Sequence, residues 1–193
     1  MFDAIRVNKS VTEKDCKFYA ACLILVLEYL QERNIVHRDL KPENIMIDHC
    51  GYPKIIDFGV ATIAKDRTYT LVGTPHYMAP EIISGAGYGP AADVWSLGVI
   101  LCECLYGCLP FGDELEDPAL VYKSILECKL KLPHGKSSRA KKFVESVLDP
   151  VEDNRDLKRM KVNSWMTDVD WKGLLAKRVK AGYLPEDVNT KLE

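Results

Sequence analysis

Side chains of complementary chemistry stand close together in His37-Arg38-Asp39-Leu40-Lys41-Pro42-Glu43-Asn44, and a further carboxylate follows in Asp57-Phe58-Gly59, thirteen residues after Asn44. The Asp39 carboxylate can accept a hydrogen bond from a hydroxyl and take up its proton. The Lys41 ammonium, two residues on, is a mobile cation suited to a negatively charged group. Asn44 and Asp57 offer hard oxygen donors, the kind magnesium prefers, and a carboxylate with a neutral amide binds metal without excess negative charge. Ala79-Pro80-Glu81 comes later in the chain. Taken singly, Asp39 reads as a turn or cap aspartate and Asp57-Phe58-Gly59 as a surface turn. Those readings fail jointly, because independent segments would all have to fall in this order by chance.

Several elements must position these residues. Ser10-Val11-Thr12-Glu13 offers a helix start, and the apolar run 18–30 predicts a helix buried nearly all round. Ile45-Met46-Ile47 and Lys54-Ile55-Ile56 read as short strands either side of a turn at His49-Cys50-Gly51-Tyr52-Pro53. Residues 57–88 show little periodicity and much Gly, Thr and Pro, which predicts a long ordered loop. Helices are expected over 92–106, 119–128 and 137–148, with Gly and Pro breaks between them. The expected fold is mainly α, with a short β pair at the loops that carry the chemistry.

Composition narrows the function classes. At 193 residues the chain is most simply one domain with a real core, and 47% apolar with 28% charged residues is ordinary for a globular protein. A formal net charge of -2 gives no electrostatic reason to expect nucleic acid or a membrane surface as partner. Lysines and arginines gather over 136–161, but Glu145, Asp149 and Glu152 lie among them, as on a solvated face. Seven cysteines, an odd number without framework spacing, point to a reducing compartment. Cys102, Cys104 and Cys108 invite a zinc reading; with no histidine in their apolar stretch, buried thiols are the better account. Met1-Phe2-Asp3 opens no signal peptide, and the apolar runs 18–27 and 94–105 are too short for a membrane span, the second being interrupted by Glu103. The expected location is cytoplasmic.

In this order and spacing, the motifs resemble the catalytic loop, metal loop and activation-segment end of a eukaryotic protein kinase. The resemblance implies phosphoryl transfer from ATP to a protein hydroxyl. Asp39 would orient and deprotonate that hydroxyl, Lys41 would stabilise the transferred phosphate, and Asn44 and Asp57 would hold magnesium. Lys41 and Asp57 would also meet the nucleotide phosphates, and Met46 would pack beneath the adenine. His37 and Phe58 resemble the lower half of the hydrophobic column that aligns active kinases. Asp93-Val94-Trp95-Ser96-Leu97-Gly98 resembles the helix whose aspartate holds the catalytic-loop backbone; as a helix N-cap, Asp93 could do both. Arg155 matches the arginine that pairs with Glu81. Glu81, Arg155 and Asp93 are structural, and a core-packing reading is equally true of His37, Phe58 and Met46.

Lys41 and Gly73-Thr74-Pro75-His76-Tyr77-Met78-Ala79-Pro80-Glu81 resemble serine/threonine rather than tyrosine kinases. Phe2-Asp3-Ala4-Ile5-Arg6 and Trp165-Met166-Thr167-Asp168-Val169-Asp170-Trp171-Lys172-Gly173-Leu174-Leu175 resemble the AGC group, particularly its cyclic-nucleotide-dependent members. Thr70 matches the activation-loop threonine phosphorylated in that group; its phosphate would pair with Arg38, although Thr62 stands where a lysine often assists. Thr74 matches the threonine that packs on the catalytic aspartate and lysine. Glu43 and Glu103 match acids that read arginine upstream of the target residue, with an ordinary surface acid as the alternative for either.

The resemblance covers essentially the whole chain but only the C-terminal lobe of the family's domain. Residues 1–166 are expected to be that part and 167–193 the start of an AGC-type C-terminal extension. The glycine-rich phosphate loop, the strand lysine and thus the N-terminal β lobe are not found. Gly85-Ala86-Gly87-Tyr88-Gly89 lacks the spacing and follows Ala-Pro-Glu. The chain alone is therefore expected to have negligible activity, with an N-terminal lobe or a partner protein as the cover for its site. The alternative reading is a non-catalytic kinase-like binding module or decoy.

Overall fold

The computed structural model describes residues 11–185; Ser10 and the Phe2–Arg6 motif lie outside them. Helix α1 (Glu13–Gln31) starts where the sequence places it, but its capping box is closed by Asp15: the Thr12 hydroxyl accepts from Asp15 N, and the Asp15 carboxylate accepts from Thr12 N. Its Tyr19, Leu23, Ile24 and Leu27 are buried, and Tyr29 is exposed. After Asn34, in left-handed backbone, the chain enters β1 (Ile35–Val36).

Two antiparallel pairs carry the loops. β2 (Ile45–Ile47) pairs with β3 (Pro53–Ile55), Ile45 opposite Ile55, so the second strand lies one residue earlier than expected. Pro53, lacking an N–H, fits as the first residue of a strand. The second pair was not expected: β1 joins β4 (Thr62–Ile63), Ile35 opposite Ile63. The segment predicted as one long loop is thus interrupted by β4, a 3-10 turn at Pro75–Tyr77 and α2 (Pro80–Ile83), and Thr68 bridges Tyr88.

Helix α3 (Ala91–Tyr106) is the core of the molecule. Every residue from Ala92 to Leu105 is buried, and the helix stops at Gly107 in left-handed backbone. A Cβ at Gly98 would stand 2.8 Å from Leu148 Cδ2, so this glycine permits the close approach of α5. Helices α4 (Pro118–Glu127) and α5 (Ser138–Val147) are capped by Asp117 and Ser137, which sets their starts within a residue of expectation. α5 buries Ala140, Phe143, Val144 and Val147 and turns its charged residues outward, the solvated face the composition implied. α6 (Leu157–Lys161) and α7 (Trp171–Leu175) follow, with Trp165 buried between them and donating from Nε1 to Glu13 at 3.0 Å. The expectation of thiols throughout needs one correction: Cys104 is bonded to Cys16, because α1 and α3 pack side by side and bring their Cα atoms to 6.1 Å. No described helix is long and apolar enough to cross a membrane. The fold is mainly α, as expected.

Candidate active site

The 37–44 loop lies between β1 and β2 and is anchored by Asp93. Its carboxylate accepts the backbone N–H of His37 at 2.7 Å and of Arg38 at 3.0 Å. Asp93 is not a helix N-cap, as its type alone had it; that position is Pro90, and Asp93 sits in the first turn of α3. Burial pushes its carboxyl above the ordinary carboxylate range, against the two N–H groups that favour its charge. Arg38 adopts left-handed backbone, and its Nε donates to the Val60 carbonyl at 2.5 Å. His37 is fully buried, with Nε2 3.0 Å from the Ile56 carbonyl and Nδ1 3.4 Å from Asp39 N. Those partners call for the Nε2–H tautomer, donating to Ile56 and accepting from Asp39.

Asp39 stands at the centre of a cluster. Thr74 Oγ1 donates to one carboxylate oxygen at 2.7 Å. The other oxygen faces Lys41 Nζ at 2.9 Å and the Asn44 amide at 3.1 Å. Lys41 also donates to Thr74 at 2.8 Å, and Asn44 to the Asp39 carbonyl at 2.8 Å. Partial burial works to raise the Asp39 carboxyl, but Thr74, Lys41 and Asn44 outweigh it, so it lies below the ordinary range and is ionised at neutral pH. An ionised carboxylate in a half-buried site, with a cation beside it, is equipped to orient a hydroxyl and accept its proton.

Asp57 approaches from the β3 side. Ile56 N donates to the Asn44 carbonyl at 2.9 Å, extending the β2–β3 ladder and fastening the two loops together just before Asp57. Asp57 is exposed, in left-handed backbone, and one of its oxygens accepts Gly59 N at 3.1 Å. The Asn44 amide nitrogen is spent on Asp39, which leaves its carbonyl oxygen as the donor a cation would use. Among the described residues no group of three or more His, Cys, Asp or Glu could cage a metal. One carboxylate plus one amide oxygen suits magnesium that also takes phosphate oxygens as ligands.

Around this pair the surface is apolar: Met46 is 57% exposed and Phe58 48%, with the Phe58 ring edge-on to His37 at 4.8 Å between centroids. Thr70 is exposed, its carbonyl accepting the Tyr88 hydroxyl at 2.7 Å. Glu43 is exposed, whereas Glu103 is 4% exposed and accepts the Tyr77 hydroxyl at 2.8 Å. Arg155 and Glu81, both buried, meet at 2.7 Å as an ion pair without hydrogen-bond alignment, and Arg155 also donates to the Ala91 carbonyl.

The residues read from sequence missed a clasp behind the β2–β3 turn. Asp48 accepts the Tyr52 and Cys50 N–H groups and faces Lys177 Nζ at 2.8 Å, and the Tyr52 hydroxyl donates to the Val179 carbonyl at 2.6 Å. The Lys177 contact, aided by those N–H groups against burial, lowers the Asp48 carboxyl to about 2. Tyr52 within the predicted turn was the one signal, an aromatic in a place that favours small polar residues.

Comparison with known proteins identifies the family. The protein kinase domain profile matches residues 1–166. The chain is 42% identical over 193 residues to a cGMP-dependent protein kinase of Eimeria tenella, covering 96% of this chain and 19% of that one. Against a cGMP-dependent protein kinase of Toxoplasma gondii the identity is 52% over 134 residues, 69% of this chain and 14% of the relative. A cAMP-dependent protein kinase catalytic subunit of Dictyostelium discoideum is 40% identical over 192 residues, 96% of this chain and 29% of the relative. The chain thus spans less than a third of the length of these relatives. It belongs to the protein kinase domain family.

Proposed function

We propose that this chain carries the catalytic-loop and metal-loop half of a serine/threonine kinase site, which moves a phosphoryl group from ATP to a protein hydroxyl. The observation that carries this reading is the cluster in which an ionised Asp39 is hydrogen-bonded by Thr74 and Asn44 and faced by Lys41. Magnesium–ATP, when bound, supplies the phosphoryl group and a cation that offsets its charge. Asp57 and the Asn44 amide oxygen would hold the magnesium, and Met46 would give the adenine an apolar floor. Asp39 orients the acceptor hydroxyl and takes its proton, and Lys41 faces the transferring group. Thr74 keeps Asp39 and Lys41 in register.

The substrate class is a protein with basic residues upstream of the target serine or threonine. Glu43, an exposed acid, would meet it, and Glu103, braced by Tyr77, is the second. Thr70 is the exposed threonine whose phosphate would meet Arg38. Residues 1–166 make up the lobe and 167–193 begin its extension. Among the described residues one wall faces a nucleotide, and water on the other side would weaken every charge interaction in the site. We therefore expect the isolated chain to transfer phosphate negligibly.

The test is magnesium-ATP-dependent transfer to an arginine-rich serine peptide, run beside nucleotide binding, for the chain and its Asp39→Asn/Asp57→Asn double variant. Weak nucleotide binding that the double variant loses, without transfer, supports the reading. Transfer that the double variant loses keeps the kinase assignment and overturns the expected inactivity. Peptide binding with no nucleotide binding at all would replace the assignment with a kinase-like binding module.

A further inference from the structure

Four of the seven cysteines converge at the C-terminal end of α3. Cys16, in the first turn of α1, is bonded to Cys104, and the Cys102 and Cys108 thiols are neighbours. Beside them lies a cavity of about 580 Å³ whose lining includes Cys104, Cys108, Tyr106, Glu103, Asp113 and Lys136. That volume is in the range of small-molecule sites. Cys16 is fully buried, and Cys104, 6% exposed, is the member of the pair that lines the cavity.

Two observations separate this bond from a permanent staple. Five other cysteines are free, which is not the fully paired framework of disulfide-dependent extracellular domains. The bond also joins parts of the chain 88 residues apart that both serve the site. α1 leads into β1 and the catalytic loop, while α3 supplies Asp93 beneath that loop and Glu103 beneath Tyr77. Burial raises the Cys102 and Cys108 thiols, leaving them protonated and poor as nucleophiles near neutral pH. An exchange partner must then come from outside.

We propose that the cavity at the end of α3 is a thiol-exchange site, through which small thiols and disulfides of the glutathione class open and close the Cys16–Cys104 bond. Lys136 offers a cation to the carboxylates of such a reagent, and Asp113 a carboxylate to its ammonium group. In closing, the Cys104 thiolate attacks one sulfur of the oxidised reagent, forming a mixed disulfide and expelling one reduced thiol. The Cys16 thiolate then attacks Cys104 Sγ and expels the second. Two protein thiols are oxidised, one reagent disulfide is reduced, and the two protons end on the departing thiols. Opening is the reverse.

The test incubates the whole chain in glutathione buffers of stepped ratio, alkylates the free thiols and maps them by peptide mass. Cys16 and Cys104 should pass together from protected to alkylated over about an eighty-fold change in [GSH]²/[GSSG], as a two-electron couple requires. The oxidised form should melt on the order of 10 °C higher, because a long loop is closed in the unfolded chain. Lys136→Glu should slow exchange with glutathione several-fold while speeding exchange with cationic cystamine. Cys16 and Cys104 alkylated at every ratio, or protected at every ratio, would overturn the proposal without any variant. Unaltered rates in Lys136→Glu with both reagents would show that the cavity is not the port, and would overturn it equally.

Discussion

In the 37–44 loop, Asp39 accepts hydrogen bonds from Thr74 and Asn44 and is faced by Lys41, whereas the Asp57 carboxylate accepts the N–H of Gly59, two residues away. Beneath Asp39 lies the buried carboxylate of Asp93; beside Asp57 lie the exposed side chains of Met46 and Phe58. Asp39 and its partners are tied to the core through Asp93 of α3. Asp57 is linked to that core mainly through the β2–β3 ladder. Preorganisation is therefore built into one half of the site, and the other half depends on what it binds.

That contrast can be broken hardest at the buried ion pair that fastens the end of the activation segment to α3. Arg155→Ala strands Glu81 without its cation, and urea unfolding should show a loss of about 3–5 kcal/mol. Adding Glu81→Gln should restore part of it, since the uncompensated charge is then gone. A loss below about 0.5 kcal/mol, the size expected for a surface substitution, would mean that the held half is not held here. Asp93→Asn is the next largest. The amide keeps an acceptor for one of the two backbone N–H groups and leaves the other unmet, at a cost of about 1–3 kcal/mol. Hydrogen exchange at His37 and Arg38 should quicken in that variant; unchanged protection would argue that Asp93 does not anchor the loop.

Asp39, Lys41, Asn44 and Asp57 were legible because their chemistry is local to short motifs, and α1 and α3 because long apolar runs with caps admit little else. What escaped depends on contacts between distant segments. β1 and β4 are two residues each, too short for alternation to show, and they meet only because the chain folds back after Asp57. The Cys16–Cys104 bond needs α1 and α3 side by side, which no spacing within either helix reveals. Glu103 has the residue type of a recognition acid, but its burial beneath Tyr77 is set by the packing of α3. The Asp48–Lys177 clasp spans 129 residues and joins a turn to the segment after α7.

That clasp sharpens the comparison, since it braces the turn between β2 and β3. Asp48 is a carboxyl whose folded value, about 2, lies below its ordinary 3.8. Its contribution to stability is fully present above pH 3.8 and is lost as pH falls through about 2. Unfolding midpoints followed from pH 5 downward should fall in that window, and Lys177→Met should flatten the fall. An equally steep fall in the variant would show that other carboxylates carry the acid sensitivity.

The smallest expected effect on stability falls on the open half. Asp57 sits in left-handed backbone, a conformation Asn tolerates as readily as Asp, and the Asn oxygen can still accept Gly59 N. Asp57→Asn therefore changes charge and little else, and stability should stay within about 0.5 kcal/mol of the parent. Magnesium–nucleotide affinity should nevertheless fall, because a charge-assisted contact of about 1.5–3 kcal/mol corresponds to roughly tenfold or more. Stability and affinity falling together would place Asp57 in the same rigid unit as Asp39 and erase the contrast. Affinity falling alone would show that the fold spends no rigidity on this carboxylate and leaves its placement to the ligand.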